Sequence, residues 1–503
     1  MIRKSVVKPV ASTELSVFLN NFGALVDTQS SDASLSFLQS TECYNFQTKS
    51  GALKNGAGFL SNVLAEIAPN TNQENVQFLQ SILPIKKAWV FEKVDEENNQ
   101  TNFLLVMNEE FFVFCLNLTN NESEFEKLPF SFSSEPEAIC FNLNGEDVVI
   151  FCSPTDSMQV WNGIDAPYFV GDAPFFVSMC VHEERLFALT LDTKTLWFSD
   201  DLDPTNWSVS LQDAGFIQMT DERGALRKVV SWNGYVFVFR DYGISRLLAT
   251  GFQETFSLSH LFVSSGKIYA DTVCVCGDRI LFLAEDGLYV FDGSSTTQIL
   301  KKSVANIVSQ NNNFAKAYFF GGKYFLACTA KFDDTKLGIQ FDDNSNCTNN
   351  ALLIVDADDL SFEIVRGIEV FEFCGVKHKS KLLVCARLVG DNQTKKLFAI
   401  SNDGKCDDEV LKKVWVSAFC TLARPTKTKT LKKVCVLSNT NCVLHIKSEL
   451  GKTQLNIFAG EFPREYIVHL KGKKFCVGFE CNEFNNDMKI EELLLVFAQS
   501  DSK

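Results

Sequence analysis

The sequence predicts an all-β protein: a β-propeller of about seven blades, with an extended N-terminal arm before it and a C-terminal antiparallel β-sandwich after it. Three observations carry this. The 46 phenylalanines of the 503-residue chain fall in short runs with Val, Ile, Leu and Cys, bounded by Gly, Asn and Asp, which is a strand-and-turn pattern. Pairs of such runs around a tight polar turn return about every 40 to 55 residues, the spacing of propeller blades. Helical periodicity is confined to residues 60–83.

Residues 1–84 read as the arm. The stretch "LNNFGALVDTQSSDASLSFLQSTECYNFQTKSGALKNGAGF" is polar and turn-rich, and a short helical segment fits before Pro84.

Residues 85–408 carry the repeat. Its hairpins are "AWVFEKVDEENNQTNFLLVMN" from Ala88, "ICFNLNGEDVVIF" from Ile139, "SMCVHEERLFALT" from Ser178 and "KVVSWNGYVFVF" from Lys228. They continue with "VCVCGDRILFLA" from Val273, "AYFFGGKYFLAC" from Ala317 and "EFCGVKHKSKLLVCA" from Glu372. Asn144-Gly145, Asn233-Gly234 and Gly321-Gly322 supply the positive-φ pairs that two-residue hairpins require. A third strand follows each pair: "EFFVFCLN", "SMQVWNG", "TLWFSDD", "ISRLLATG", "GLYVFDG", "ALLIVDADD" and "KLFAISNDG". Fourth strands are expected at "NWSVSL", "TTQIL" and "SFEIVRG". One blade cannot bury both faces of its sheet, so blades must stack to cover them.

Residues 409–503 alternate apolar and polar positions over six short strands, "KVCVLSN", "NCVLHIKSE", "LNIFAG", "EYIVHLKG", "KFCVGFEC" and "IEELLLVFA", as a small antiparallel sandwich does. A basic connector, "ARPTKTKTLKK" from Ala423, leads into them. Its Arg424, Lys427, Lys429, Lys432 and Lys433 offer charge that could touch nucleic acid, but on an acidic chain they read better as a solvated hairpin.

Composition narrows the function. A net charge of −15 argues against nucleic acid as the main partner, since neutralising phosphates takes a basic surface. No run reaches the roughly 18 consecutive apolar residues of a membrane helix, and the N-terminus lacks an apolar stretch of signal-peptide length. The expectation is therefore no membrane and no Sec export. Most of the 17 cysteines sit inside apolar runs, where a reduced thiol behaves as a small hydrophobe; this fits a reducing compartment. Cys274 and Cys276 share a strand face without a second ligand pair, and the five histidines are scattered, so zinc and His-based metal sites are not expected.

The segment "TLWFSDDLDPTNW", Thr195 to Trp207, sets three aspartates between two tryptophans. Its polar end recurs at Asn162, Asp292, Asp356 and Asn402, so it reads as a turn, where Asp and Asn bond nearby backbone N–H groups. Ser199, Asp201 and Trp207 resemble the Asp-box turn of sialidase-type propellers, without the box's glycine and with the spacing off by one. Asp221, Glu222 and Arg223, in "MTDERG", are the best local set for a carboxylate and arginine clamp, and a solvated turn competes with that reading. No catalytic, cofactor-binding or metal-ligating residue is assigned.

With the elements laid out, the chain resembles structural proteins of tailed bacteriophages that join an arm, a propeller and a further β domain. The likeness lies in "NNFGALVD" and "ECYNFQTKSGALKNGAGF", where Gly51, Leu53 and Gly56 match a G-x-L closing motif. It extends to the blade pair "RLFALTLDTKTLWFSDDLDPTNW" and "GALRKVVSWNGYVFVFRDYGISRL", and to the terminal "KTLKKVCVLSN", "VLHIKSELGKT" and "EYIVHLKGKKFCVGFECN". The resemblance implies a non-enzymatic virion component of the neck or tail, of tail-nozzle or head-completion type, assembled in the host bacterial cytoplasm. Implied partners are other virion proteins (portal, adaptor or tail), further copies in a ring, and DNA passing non-specifically. The rivals are a propeller glycosidase or sialidase, a tail-tip receptor-binding protein, and a cytoplasmic scaffold; the fold alone does not choose among them.

Overall fold

The computed structural model describes residues 13–26, 37–82, 84–94, 99–209, 213–264, 266–308, 311–334, 336–341, 347–389, 395–422 and 427–499. Among them the chain is mostly β, in small antiparallel sheets. Six successive four-stranded meanders begin at Ile85–Val94, Glu137–Leu143, Phe176–His182, Leu226–Trp232, Cys274–Cys276 and Lys316–Phe320, and a seventh sheet begins at Ile368–Val376.

The predicted hairpins form, and their turns show why. Asn144 and Gly145 have φ of +53° and +87°, Asn233 and Gly234 +49° and +74°, Gly321 and Gly322 +57° and +78°. These values match the right-handed strand twist that a two-residue hairpin must follow. Glu183 and Glu184 adopt the same geometry, φ +48° and +61°, without the residues that advertise it. The third strands fall where expected, from Phe112–Asn117 to Lys396–Ser401.

One fourth strand differs. The third sheet ends with Gly215–Gln218, not "NWSVSL". Trp207 is instead drawn into the core, 2% exposed, with its ring 4.6 Å from Phe176. Burying that indole outweighs its value in an exposed edge strand.

Leading strands of successive sheets lie side by side. Glu137–Leu143 flanks Phe176–His182, which flanks Leu226–Trp232; Cys274–Cys276 flanks Lys316–Phe320, which flanks Ile368–Val376. The last of these lies against Ile85–Val94, so the seventh sheet meets the first.

Residues 40–60 do not form a free arm. Gly58–Leu60 pairs antiparallel with Lys396–Ser401 on one side and in parallel with Lys405–Cys406 on the other, so chain from before the repeat lies inside the sheet next to the first. Ser40–Tyr44 pairs with Lys413–Ser417, Leu53–Asn55 and Thr13–Leu19 with Lys489–Gln499. The driving term is burial: Tyr44, Phe46, Leu53 and Phe59 are at most 2% exposed, each worth roughly 1.5–3 kcal/mol of transfer free energy. The Gly51–Gly56 motif is explained as well. Gly51 has φ +81°, and a Cβ on Gly56 would stand 2.8 Å from the Asn45 carbonyl oxygen. The segment expected to be helical contains two short helices, Val63–Ile67 and Gln73–Ser81; Asn72 caps the second by accepting from the Asn75 N–H.

Asn45 locks this junction. At φ +60°, its side chain donates to the Arg366 and Lys412 carbonyls (3.0 and 2.7 Å) and accepts from the Arg366 N–H (2.8 Å).

The six C-terminal strands appear at the predicted places in two sheets, one of five strands and one of six, both including N-terminal strands. Side chains from both, such as Val434 and Leu495 of one and Trp415 and Phe479 of the other, share one apolar cluster with the fifth and sixth small sheets. No helix among the described residues is long and apolar enough to cross a membrane.

Candidate functional site

Charged side chains from six of the seven small sheets meet in one cluster. Lys87 comes from the first sheet, Glu135 and Glu137 from the start of the second, Lys228 from the fourth, Asp271 from the turn entering the fifth, Lys316 from the sixth and Glu372 from the seventh. The Lys316 Nζ lies 3.0 Å from Asp271, 3.5 Å from Glu372 and 3.6 Å from Glu135. The Lys87 Nζ is 3.3 Å from Glu135 and 3.7 Å from Glu372, and Lys228 bonds Glu137.

Local backbone irregularity aims these groups. Register shifts interrupt the leading strands between Ile85 and Lys87, Phe176 and Ser178, Leu226 and Lys228, and Val370 and Glu372. A bulge turns the next side chain away from the regular alternation. In each of these sheets the redirected residue is Lys, Ser or Glu.

The electrostatics are those of mutual neutralisation. Burial disfavours charge on Lys316, yet Glu372, Asp271 and Glu135 hold its pKa well above that of an ordinary lysine. Burial likewise opposes charge on Lys228, and Glu137 and Asp271 carry it up to about 12. Asp271 is lowered against its own burial by Lys316 and Lys228, and Glu135 by Lys87 and Lys316. A general acid needs a carboxyl held above its ordinary pKa; these two are held below it.

The Asp221 set has a structural assignment. The Arg240 guanidinium, fully buried, donates to both Asp221 oxygens at 2.8 and 2.7 Å and to the Gly224 carbonyl. Partial burial pushes Asp221 up, but the Arg223 N–H and Arg240 outweigh it and bring the carboxyl to about 2. Glu222 points to solvent, its side chain 76% exposed, and among the described residues it reaches Arg223, at 3.4 Å.

The Thr195–Trp207 segment is a corner. Ser199 Oγ accepts from the Leu186 N–H, Asp203 accepts from the Thr205 N–H and hydroxyl, and the Trp207 indole donates to the Pro204 carbonyl. Asn162 and Asp292 cap their turns in the same way. Among the described residues no group of three or more His, Cys, Asp or Glu side chains is placed to hold a metal ion. In the basic connector, Lys429 donates to the Lys473 carbonyl and Lys433 pairs with Glu465; Arg424 lies outside the described residues.

Sequence reasoning passed over the charged cluster, although a signal was present. The aligned hairpins start at or beside Lys87, Ser178, Lys228, Lys316 and Glu372, a polar residue returning at the head of an apolar strand. No protein-family model matches this chain, and no curated protein matches its sequence.

Proposed function

We propose that the chain is a non-catalytic structural protein: a seven-bladed β-propeller, closed by the Gly58–Leu60 strand, with a C-terminal β-sandwich docked on blades five and six. Its role is that of a rigid assembly component. The observation that carries this reading is the charged cluster, which lies where a propeller enzyme collects its catalytic groups. Here three lysines and four carboxylates are committed to each other, which locks blades together and leaves no carboxyl free to act as acid.

The placement in the neck or tail of a bacteriophage virion, as a ring of copies beside portal, adaptor or tail proteins, rests on the resemblance of the three sequence segments. The acidic chain suits a conduit along which DNA slides without sticking. Because paired side chains fill the propeller axis, DNA would pass through the ring of copies and not through one propeller. Apolar side chains on the outer strands and adjoining loops of blades two to four, Phe169 (64% exposed), Phe216 (46%) and Phe252 (71%), supply surface for neighbours.

Light scattering and electron microscopy of the purified chain, alone and with the proteins of its particle, test the proposal. A closed ring or a stoichiometric co-assembly is expected. A monomer that joins no particle, or one that hydrolyses a glycan panel, would overturn it.

A further inference from the structure

A cleft of about 450 Å³ opens between the outer strands of the first sheet and the loop after the third strand of the second. That volume lies within the roughly 300–1,000 Å³ of small-molecule sites. Its floor is aromatic: Phe103 and Trp161 are 7% and 5% exposed, with ring centroids 5.6 Å apart at 63°. The loop closes over them through Gly163, at φ +85°, where a Cβ would stand 2.9 Å from the Phe103 ring.

The Trp161 indole N–H donates to no acceptor among the described residues. The other two deeply buried indoles are both satisfied, Trp207 by the Pro204 carbonyl and Trp415 by the Gly23 carbonyl. The ring lines the cleft, where its N–H is available to an occupant.

The rim supplies the complementary acceptors. Asp165 is fixed by Asn162, which donates to its carboxylate at 2.8 Å and accepts from its N–H at 2.8 Å. Glu126 stands exposed on the outer strand of the first sheet, while its neighbour Lys127 lies over the Phe112 ring, 3.2 Å from its centroid.

We propose that this cleft binds a neutral saccharide. The ligand must offer an apolar face to the aromatic floor, an acceptor to the indole N–H and donors to two carboxylates. A pyranose meets all three needs, because each hydroxyl both donates and accepts while its C–H face is apolar. A cationic side chain would satisfy the carboxylates and leave the indole unpaired; an anionic sugar would be repelled by them. The inference is independent of the role in assembly.

The test titrates the full chain with glucose, galactose, mannose, N-acetylglucosamine and their oligomers, read by saturation-transfer NMR and calorimetry, with a tetra-arginine peptide alongside. At least one neutral saccharide should bind at millimolar concentration or below. Trp161→Phe, which keeps an aromatic ring and removes the donor, should weaken it about tenfold, the loss of one hydrogen bond. Glu126→Gln, at an exposed position, should weaken it several-fold and decides the matter if Trp161→Phe does not fold. Silence across the saccharides, affinity unchanged in a folded variant, or binding of the arginine peptide alone would overturn the proposal.

Discussion

Replacing Glu42 by glutamine should flatten the pH dependence of stability between pH 5 and 8. Glu42 sits in the Ser40–Tyr44 strand, 1% exposed, and its Oε1 has no hydrogen-bond partner among the described residues. Burial raises its pKa most; Asp334 and Asp333 add to it, Lys336 and Arg366 oppose it, and the carboxyl is carried up to about 8. The folded protein therefore holds a proton that the unfolded chain releases near pH 4.5. Stability is fully present below that value and declines as pH rises toward 8. Each pH unit in the window costs up to about 1.4 kcal/mol, so the wild type loses on the order of 4 kcal/mol through this group, out of roughly 5–15 in all. Glu363, which burial carries up to about 7, adds a shorter slope of the same sign. Urea unfolding followed by tryptophan fluorescence at pH 5, 6, 7 and 8 measures the effect. The wild type should weaken across the series, and Glu42→Gln should lose the larger part of that slope. A variant with the wild-type slope, or a wild type that gains stability with rising pH, would refute the reasoning.

Three further outcomes follow from particular contacts. Phe59→Ala, at a fully buried residue of the strand paired with Lys396–Ser401 in the seventh sheet, should cost about 3–5 kcal/mol and render that sheet's amides the first to exchange in hydrogen-exchange mass spectrometry. Asp221→Ala strips the partner from the fully buried Arg240 and should cost roughly 3–5 kcal/mol in denaturant titration; Glu222→Ala should cost almost nothing. Thirteen of the seventeen cysteines are buried, so a thiol reagent should label at most four quickly in the native protein and all of them in urea.

The sequence announced its local elements and concealed its closures. Turn pairs such as Asn233-Gly234 carry their φ requirement in their composition, and strands such as "KLFAISNDG" end on residues that bond the reversing backbone. These signals are local and were legible. The pairing of Gly58–Leu60 with Lys396–Ser401 joins residues more than three hundred positions apart, and a polar, glycine-rich run gives no hint of its partner. The bulges that redirect Lys87, Lys228 and Glu372 were invisible for a related reason: strict alternation assigns those side chains to a sheet face, and one extra residue reassigns them. "NWSVSL" misled because it alternates like a strand, whereas the indole gains more from the core. The cleft floored by Phe103 and Trp161 could not be read at all, since its walls come from two sheets.

The most direct test of the account is a double-mutant cycle between Glu135 and Lys316. Sheets three to five separate them along the chain in one direction, and sheets seven and one in the other. The two groups nevertheless stand 3.6 Å apart, as the proposed closed ring requires. Unfolding free energies of Glu135→Gln, Lys316→Met and the double variant should show a coupling of about 1 kcal/mol or more, as contacting charges do. Additive losses would contradict the closed ring.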